Sequence, residues 1–251
     1  MMVKERLCIA LDVPTLEKAV EVVHELAPYV GLFKIGMQLF TAEGPRAIHS
    51  IRGLGGKVFL DLKYHDIPNT VANAAREAMS LGVDVFTIHA SGGTMMMRAV
   101  ADALEEKGGA TGRPTVLAIT VLTSLSSQQI RKELNVAQTV REQVVSLARL
   151  AQAAGIHGVV ASPQEIKTIR KACGKDFMIL TPGIRPEWAA DKADQKRIMT
   201  PAQAIRAGAD YIVVGRPIRK APDPKSAAKR ICAEIEQGMR EREKGEKSKG
   251  A

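Results

Sequence analysis

One local pattern occurs three times in the chain, and it limits the possible folds more than any other feature of the sequence. In each copy a glycine follows a helical segment, and a short run rich in β-branched residues begins three residues later. A glycine that ends a helix just before a buried strand is typical of a chain that alternates helices and strands. The pattern therefore predicts β/α units in series around a parallel sheet. The copies are Leu81-Gly82 before VFTIHA, Ala154-Gly155 before GVVAS, and Ala207-Gly208 before YIVVG.

Five further apolar runs have the length and composition of buried strands. Each of the resulting eight strands is followed by a helical segment, which is the count of a (β/α)₈ TIM barrel. A doubly wound sheet is the alternative, but no G-x-G-x-x-G follows the first strand. Two of the helices are predicted at Thr41 to Arg52 and at Pro68 to Leu81. The five strands are Leu7 to Val13, Val30 to Gly36, Lys57 to Lys63, Pro114 to Leu122, and Phe177 to Leu180.

The length of 251 residues is compatible with one barrel domain that spans residues 1–251. Barrels of about 250 residues are routinely single domains, so length alone does not divide the chain. The last residues mix arginine, lysine and glutamate. We expect a basic tail that frays from about residue 240.

Composition excludes several classes of protein. No apolar run approaches the roughly 20 residues of a membrane span, and the N-terminus has no signal-peptide cleavage site. Cys8, Cys173 and Cys232 are odd in number, widely spaced, and without a metal-ligand pattern. These features predict a reduced, cytoplasmic protein with no membrane partner and no metal site.

The net charge of +9 raises the question of a nucleic-acid partner. Such proteins interleave basic and aromatic residues, whereas aromatics make up only 4% of this chain. A small anionic substrate accounts for basic residues near a site equally well. We therefore expect no nucleic-acid partner, and salt-dependent binding to random DNA would contradict this.

The third predicted strand carries the densest group of reactive side chains. Side chains alternate across a strand, so Asp61 and Lys63 should point to the same face. Asp66 follows where the strand should have ended, and Pro68 suits the first turn of a helix. An acid, a base and a second acid thus stand at the carboxyl end of a strand, where parallel α/β folds bind ligands. A structural ion pair is the alternative for this stretch alone.

Polar residues stand at the ends of the other predicted strands as well. A barrel gathers such residues at its carboxyl rim, where catalysis takes place. Packing explains any one of them more easily than it explains charges at three successive strand ends. They are Asp12, Lys34, His89, Thr123, Ser162, Pro182-Gly183 and Gly215-Arg216.

The last two β/α units have features of a phosphate site. A polar stretch from Glu187 to Lys196 follows TPGIRP and includes Gln195; a loop of this length is more often a functional lid than an idle connection. Gly215 can let a phosphate approach backbone N–H groups, and Arg216 can bind its oxygens through two donors. Loops after strands seven and eight are the common phosphate site of this fold. A surface arginine after a turn glycine is the alternative.

Seven motifs occur in an order that resembles the bacterial orotidine 5′-phosphate decarboxylase family. The resemblance extends over nearly the whole chain, from Leu11 to Pro217, without departure at the motif positions. The motifs are LDVP, FKIG, DLKYHDIPNT, TVLTS, TPGIRP, QKRIMTP and VGRPI.

The resemblance implies a role for each candidate residue. Lys63 would be the catalytic proton donor, with Asp61 beside the substrate carboxylate and Asp66 completing an Asp-Lys-Asp charge network. The other residues would bind substrate or line its pocket. The site of a second subunit in a homodimer would be reached by Asp66, Ile67 and Thr70. The ribose hydroxyls would be bound by Asp12 and Lys34, and the pyrimidine by Thr123. The substrate and its phosphate would be bound by Arg185, Gln195, Gly215 and Arg216, and the pocket would be lined by His89 and Pro182.

The implied reaction converts orotidine 5′-monophosphate to uridine 5′-monophosphate in pyrimidine biosynthesis. Loss of CO₂ leaves a carbanion without an adjacent electron acceptor, and no motif for a cofactor that accepts electrons is present. An ammonium held by carboxylates can stabilise the charge and then deliver a proton. The expectation is therefore catalysis without metal or cofactor.

Two alternatives remain from the sequence. One is a different barrel lyase or aldolase that acts on a sugar phosphate and needs Mg²⁺. The other is a non-catalytic barrel that binds a nucleotide without turnover. Inhibition by a chelator would favour the first, and binding without turnover would favour the second.

Overall fold

The computed structural model describes residues 2–107, 112–189 and 199–248. Eight strands form a closed barrel in chain order, which confirms the predicted (β/α)₈ fold. The first strand pairs in parallel with the second and the eighth, and the fourth to seventh strands pair in parallel with one another. The strands are β1 Leu7–Ala10, β2 Leu32–Gly36, β3 Val58–Tyr64, β4 Val85–His89, β5 Thr115–Ile119, β6 Gly158–Val160, β7 Met178–Thr181 and β8 Tyr211–Val214.

Helices separate all consecutive strands, as a parallel barrel requires. No helix within the described ranges is both long and apolar enough to cross a membrane. The helices are α1 Leu16–Leu26, α2 Met37–Glu43, α3 Pro45–Gly53, α4 Pro68–Ser80, α5 Gly93–Lys107, α6 Ser127–Lys132, α7 Val140–Ala153, α8 Ile166–Cys173, α9 Pro201–Ala207, α10 Arg216–Arg219 and α11 Pro224–Lys247.

The chain divides into two compact units, one comprising Met1–Phe59 with Thr181–Ala251 and the other Leu60–Leu180. In the first unit all four residues of β1 are buried, and α11 packs against α9. Gly238 makes this helix contact close, because a Cβ there would lie 2.5 Å from the carbonyl oxygen of Ala202. In the second unit α4 packs on α5, and the first four residues of β4 are buried. That residues 1–251 act as one domain stays a prediction.

The single helix predicted from Thr41 to Arg52 is wrong. The structure has α2 and α3 instead, and Gly44 separates them with a φ of +58°. Only glycine adopts this backbone conformation at little cost, so the helix breaks there. Pro45 then occupies the first turn of α3, where its missing N–H leaves no hydrogen bond unmade.

Helix α11 continues past residue 240 to Lys247, while the fraying that we expect for the basic tail stays a prediction. Side-chain pairs hold this part of the helix. Arg240 pairs with Glu236 one turn earlier, and Glu241 binds Gln237 on the same helix and Arg206 of α9. Contacts one turn apart and between helices stabilise a helix end that composition alone marks as polar.

Candidate active site

The predicted contact between Asp61 and Lys63 is present at the carboxyl end of β3. Lys63 Nζ lies 2.9 Å from Asp61 Oδ1, and the two side chains are only 26% and 13% exposed. Water therefore reaches the pair only in part, and the attraction between the charges is screened less than at the surface. The lysine ammonium has a defined position beside a carboxylate.

The backbone of Lys63 is unusual. Its φ is +57°, one of two positive φ values among the described non-glycine residues. This left-handed conformation costs a residue with a Cβ roughly 1–2 kcal/mol. Such strain is found mostly at functional sites, where the surrounding structure holds it in place.

Thr87 of β4 connects both members of the pair. Its hydroxyl accepts a hydrogen bond from the backbone N–H of Lys63 and donates one to Asp61 Oδ1, each at 3.0 Å. The residue has no exposed surface. Thr87 was not among the residues predicted from the sequence, although a threonine inside the apolar run VFTIH was a visible signal.

Asp66 lies apart from this pair within its own chain. Its carboxylate accepts a hydrogen bond from the backbone N–H of Ile67 at 2.6 Å. Within the described part of the chain Lys63 forms one ion pair, with Asp61, and Asp66 forms none. Asp66 and Thr70 are exposed, and Ile67 is 66% exposed. The Asp-Lys-Asp network is therefore not complete in one chain.

His89 is close enough to Lys63 for the two to interact electrostatically. Its ring stacks on that of His65, with centroids 5.1 Å apart, and its Nδ1 lies 2.8 Å from Ser91 Oγ. Burial lowers the pKa of His89, and the positive charges of His65 and Lys63 lower it further. The environment thus favours the neutral imidazole of His89 beside the charged lysine.

Asp12 and Lys34 form a second charge pair, in the unit that contains β1 and β2. Lys34 Nζ lies 3.5 Å from Asp12 Oδ1, and the lysine side chain is 13% exposed while the aspartate is 53% exposed. Gly36 leaves room beside them, since a Cβ there would lie 3.2 Å from Lys34 Nζ. The aspartate follows the end of β1 by two residues, and because about half of its side chain is exposed its carboxylate is open to a ligand.

Arg185 and Arg216 line one cleft of about 390 Å³. Lys220 adds a third positive charge, and no carboxylate is among the described residues of the lining. Gly215 directly precedes α10, whose first residue is Arg216. The cleft therefore has the charge and the bidentate donors that bind a phosphate. The remaining lining residues are Trp188, Ala189, Pro217, Ala221 and Pro222.

Residues on either side of the segment that was expected to form a lid, and Trp188 near its start, form defined contacts. Arg185 donates its backbone N–H to the carbonyl oxygen of Met199 at 3.2 Å. The indole of Trp188 donates to Glu234 Oε1 at 2.9 Å, and the Arg230 guanidinium lies 4.2 Å from the ring centre. Gln195 lies outside the described residues.

Two further candidate residues, Thr123 and Pro182, lie just beyond the ends of strands. Thr123 is exposed in a turn after β5, which the N–H of Leu125 closes on the carbonyl of Leu122. Pro182 follows β7 directly and is half-buried. Across the ranges that the structure describes, no group of three His, Cys, Asp or Glu side chains is arranged to hold a metal.

Comparison with known proteins places the chain among relatives of similar length. Residues 5–231 match the family model described as Orotidine 5′-phosphate decarboxylase / HUMPS family. Orotidine 5′-phosphate decarboxylase of Moorella thermoacetica is 52% identical over 238 residues, which cover 94% of each protein. That of Heliobacterium modesticaldum is 53% identical over 244 residues, or 96% of this chain and 100% of the relative.

A solved structure shows the same similarity in three dimensions. The crystal structure of orotidine 5′-phosphate decarboxylase from Lactobacillus acidophilus superimposes with a TM-score of 0.81 at 40% identity. The match covers 91% of this chain and 98% of that one. The chain belongs to the orotidine 5′-phosphate decarboxylase / HUMPS family.

Proposed function

We propose that the protein is an orotidine 5′-phosphate decarboxylase, which converts orotidine 5′-monophosphate to uridine 5′-monophosphate and CO₂ in pyrimidine biosynthesis. One observation carries the choice of residues. The Lys63 ammonium lies 2.9 Å from Asp61 in a partly buried position on a strained backbone. This geometry supports Lys63 as the proton donor, because its ammonium is already in position before substrate arrives.

The reaction needs few groups in this arrangement. The bond between the substrate carboxylate and carbon 6 of the pyrimidine breaks, CO₂ leaves, and the electron pair remains on the carbon. The ammonium of Lys63 stabilises this charge and transfers a proton from Nζ to carbon 6. Asp61 orients Nζ, and as a fixed negative charge it stands beside the departing carboxylate.

The other charged groups suit the remote parts of the nucleotide. Asp12 and Lys34 offer an acceptor and a donor to the ribose hydroxyls, and Arg185, Gly215 and Arg216 would bind the phosphate. Thr123 and Gln195 would contact the rest of the substrate, with His89 and Pro182 at the pocket wall. Because the phosphate is far from carbon 6, its binding energy can lower the activation barrier only by positioning the substrate in the site.

We also propose that the active form is a homodimer. The exposed run of Asp66, Ile67 and Thr70 at the start of α4 combines a carboxylate that forms no ion pair with the described residues of its own chain and an apolar side chain in contact with solvent. A neighbouring subunit would cover the isoleucine and bring the carboxylate to the other site. Among the described residues, the three cysteines form no disulfide with one another, in keeping with the cytoplasm.

We expect turnover to be independent of metal ions. Asp61 Oδ1 already accepts hydrogen bonds from Lys63 Nζ and from Thr87, so the positive charge beside it is the lysine. The loss of orotate absorbance should proceed at the same rate with and without EDTA. Loss of activity on chelation, with recovery in Mg²⁺, would instead support a metal-dependent barrel lyase.

Replacing Arg216 with alanine should lower kcat/KM by the equivalent of about 3 kcal/mol or more in transition-state stabilisation, which is the scale of a hydrogen bond to a charged group. The loss should shrink sharply for orotidine, which lacks the phosphate. Arg240→Ala is a matched control, because Arg240 is 70% exposed and pairs with Glu236 away from the cleft. An equal loss on both substrates would contradict the phosphate assignment.

A further inference from the structure

Thr87 is a buried polar residue with a specific set of partners. It has no exposed surface, and Phe86 and Ile88 on either side of it are fully buried as well. A buried hydroxyl is costly unless it forms hydrogen bonds. Thr87 forms two, to the backbone of Lys63 and to the carboxylate of Asp61.

The direction of each hydrogen bond follows from the chemistry of the partners. A backbone N–H can only donate, so the Thr87 oxygen accepts from Lys63. An ionised carboxylate can only accept, so the single hydroxyl proton points to Asp61. Asp61 Oδ1 in turn accepts from Lys63 Nζ at 2.9 Å. These bonds form a closed ring that joins the backbone and the side-chain end of the same lysine.

The ring encloses a residue with an unusual backbone. Lys63 has a φ of +57°, and the hydrogen bonds at its N–H and at its Nζ hold the peptide plane before it and the end of its side chain. Threonine is also stiff about χ1, so its hydroxyl has few alternative positions.

We propose that Thr87 is a positioning residue for decarboxylation, which holds the strained backbone of Lys63 and the carboxylate of Asp61 so that Nζ is aligned with the reacting carbon. The inference rests on the proposed function. Thr87 transfers no proton to the substrate and acts through Lys63. A misplacement of about 1 Å in a catalytic group can cost roughly a hundredfold in rate.

Thr87→Val tests the proposal, because valine keeps the shape and removes the hydroxyl. We expect kcat to fall by about 10- to 100-fold, while KM and the Kd of uridine 5′-monophosphate stay within about 3-fold because phosphate and ribose contacts are unchanged. The amide of Lys63 should exchange with solvent faster, since its acceptor is gone. Thr87→Ser, which keeps the hydroxyl, should recover kcat to within about 3-fold of the wild type.

Thr120→Val is the matched control for loss of a buried hydroxyl. Thr120 is 3% exposed and donates to the carbonyl oxygen of Val160 at 3.0 Å, so its loss should affect stability but not kcat. If Thr87→Val does not fold, Thr87→Ser and Thr87→Cys form a second pair of variants. Because a thiol is a poor hydrogen-bond donor, the kcat of Thr87→Cys should be at least about 10-fold lower than that of Thr87→Ser.

Three results would overturn the proposal: an unchanged kcat in Thr87→Val, an equal loss in Thr87→Ser, or a loss of nucleotide affinity that matches the loss of kcat. The last would indicate a general structural role. Absence of turnover in the wild type would overturn the proposed function instead. The exchange rate of the Lys63 amide then still shows whether Thr87 holds this backbone, because it does not depend on activity.

Discussion

Lys63→Ala is expected to lower kcat by about 10⁴-fold or more. The substitution removes both the cation that stabilises the carbanion and the proton donor, and each of these effects is worth about 10²-fold or more. Alanine at a φ of +57° carries a strain similar to that of lysine, so the local backbone should persist. Single-turnover kinetics with orotidine 5′-monophosphate measure the loss of the chemical step directly.

Lys57→Ala provides the control for this variant. Lys57 is an exposed lysine that directly precedes β3, and its replacement should leave kcat unchanged. Both variants should unfold at temperatures close to that of the wild type and should bind uridine 5′-monophosphate. Near-normal kcat in Lys63→Ala would exclude this lysine as the proton donor.

Mixing two inactive variants should restore about a quarter of the wild-type activity. Homodimers of Lys63→Ala and of Asp66→Ala should each be nearly inactive. If each site takes Lys63 from one chain and Asp66 from the other, a hybrid dimer has one site with both defects and one with neither. Random exchange makes about half of the dimers hybrids, so about one site in four is intact.

The mixing experiment distinguishes a shared site from one built by a single chain. In the described residues Asp66 forms no ion pair with Lys63 of its own chain, which motivates the shared arrangement. If both residues served the same chain's site, every site in the mixture would contain one defect. Subunit exchange is verified by mass spectrometry of tagged chains, and exchange without recovery would reject the shared site.

Several fold features could be predicted because they depend on local sequence. Glycine after a helix and an apolar run after the glycine occur at the three recurring turns, and all three lead into strands of the barrel. The divided helix at Gly44 was missed because a single glycine is tolerated in many helices, although Gly44 followed by Pro45 is a local turn signal. The contact of Arg206 with Glu241 of α11 could not be predicted, because the two residues are 35 positions apart in the sequence.

The sequence by itself determined that Asp61 and Lys63 would meet, because alternation along a strand is a local property of the backbone. It also determined the order of the polar strand ends and the family to which the chain belongs. Tertiary structure alone decided that Thr87 joins both residues, since the partner is 24 positions from Lys63 and a neighbouring strand must bring it there. Tertiary structure also decided the positive φ of Lys63 and the absence of an ion pair between Asp66 and the described residues of its own chain. Both depend on which hydrogen-bond partners surround the end of β3, and hydrophobic periodicity carries no information about those partners.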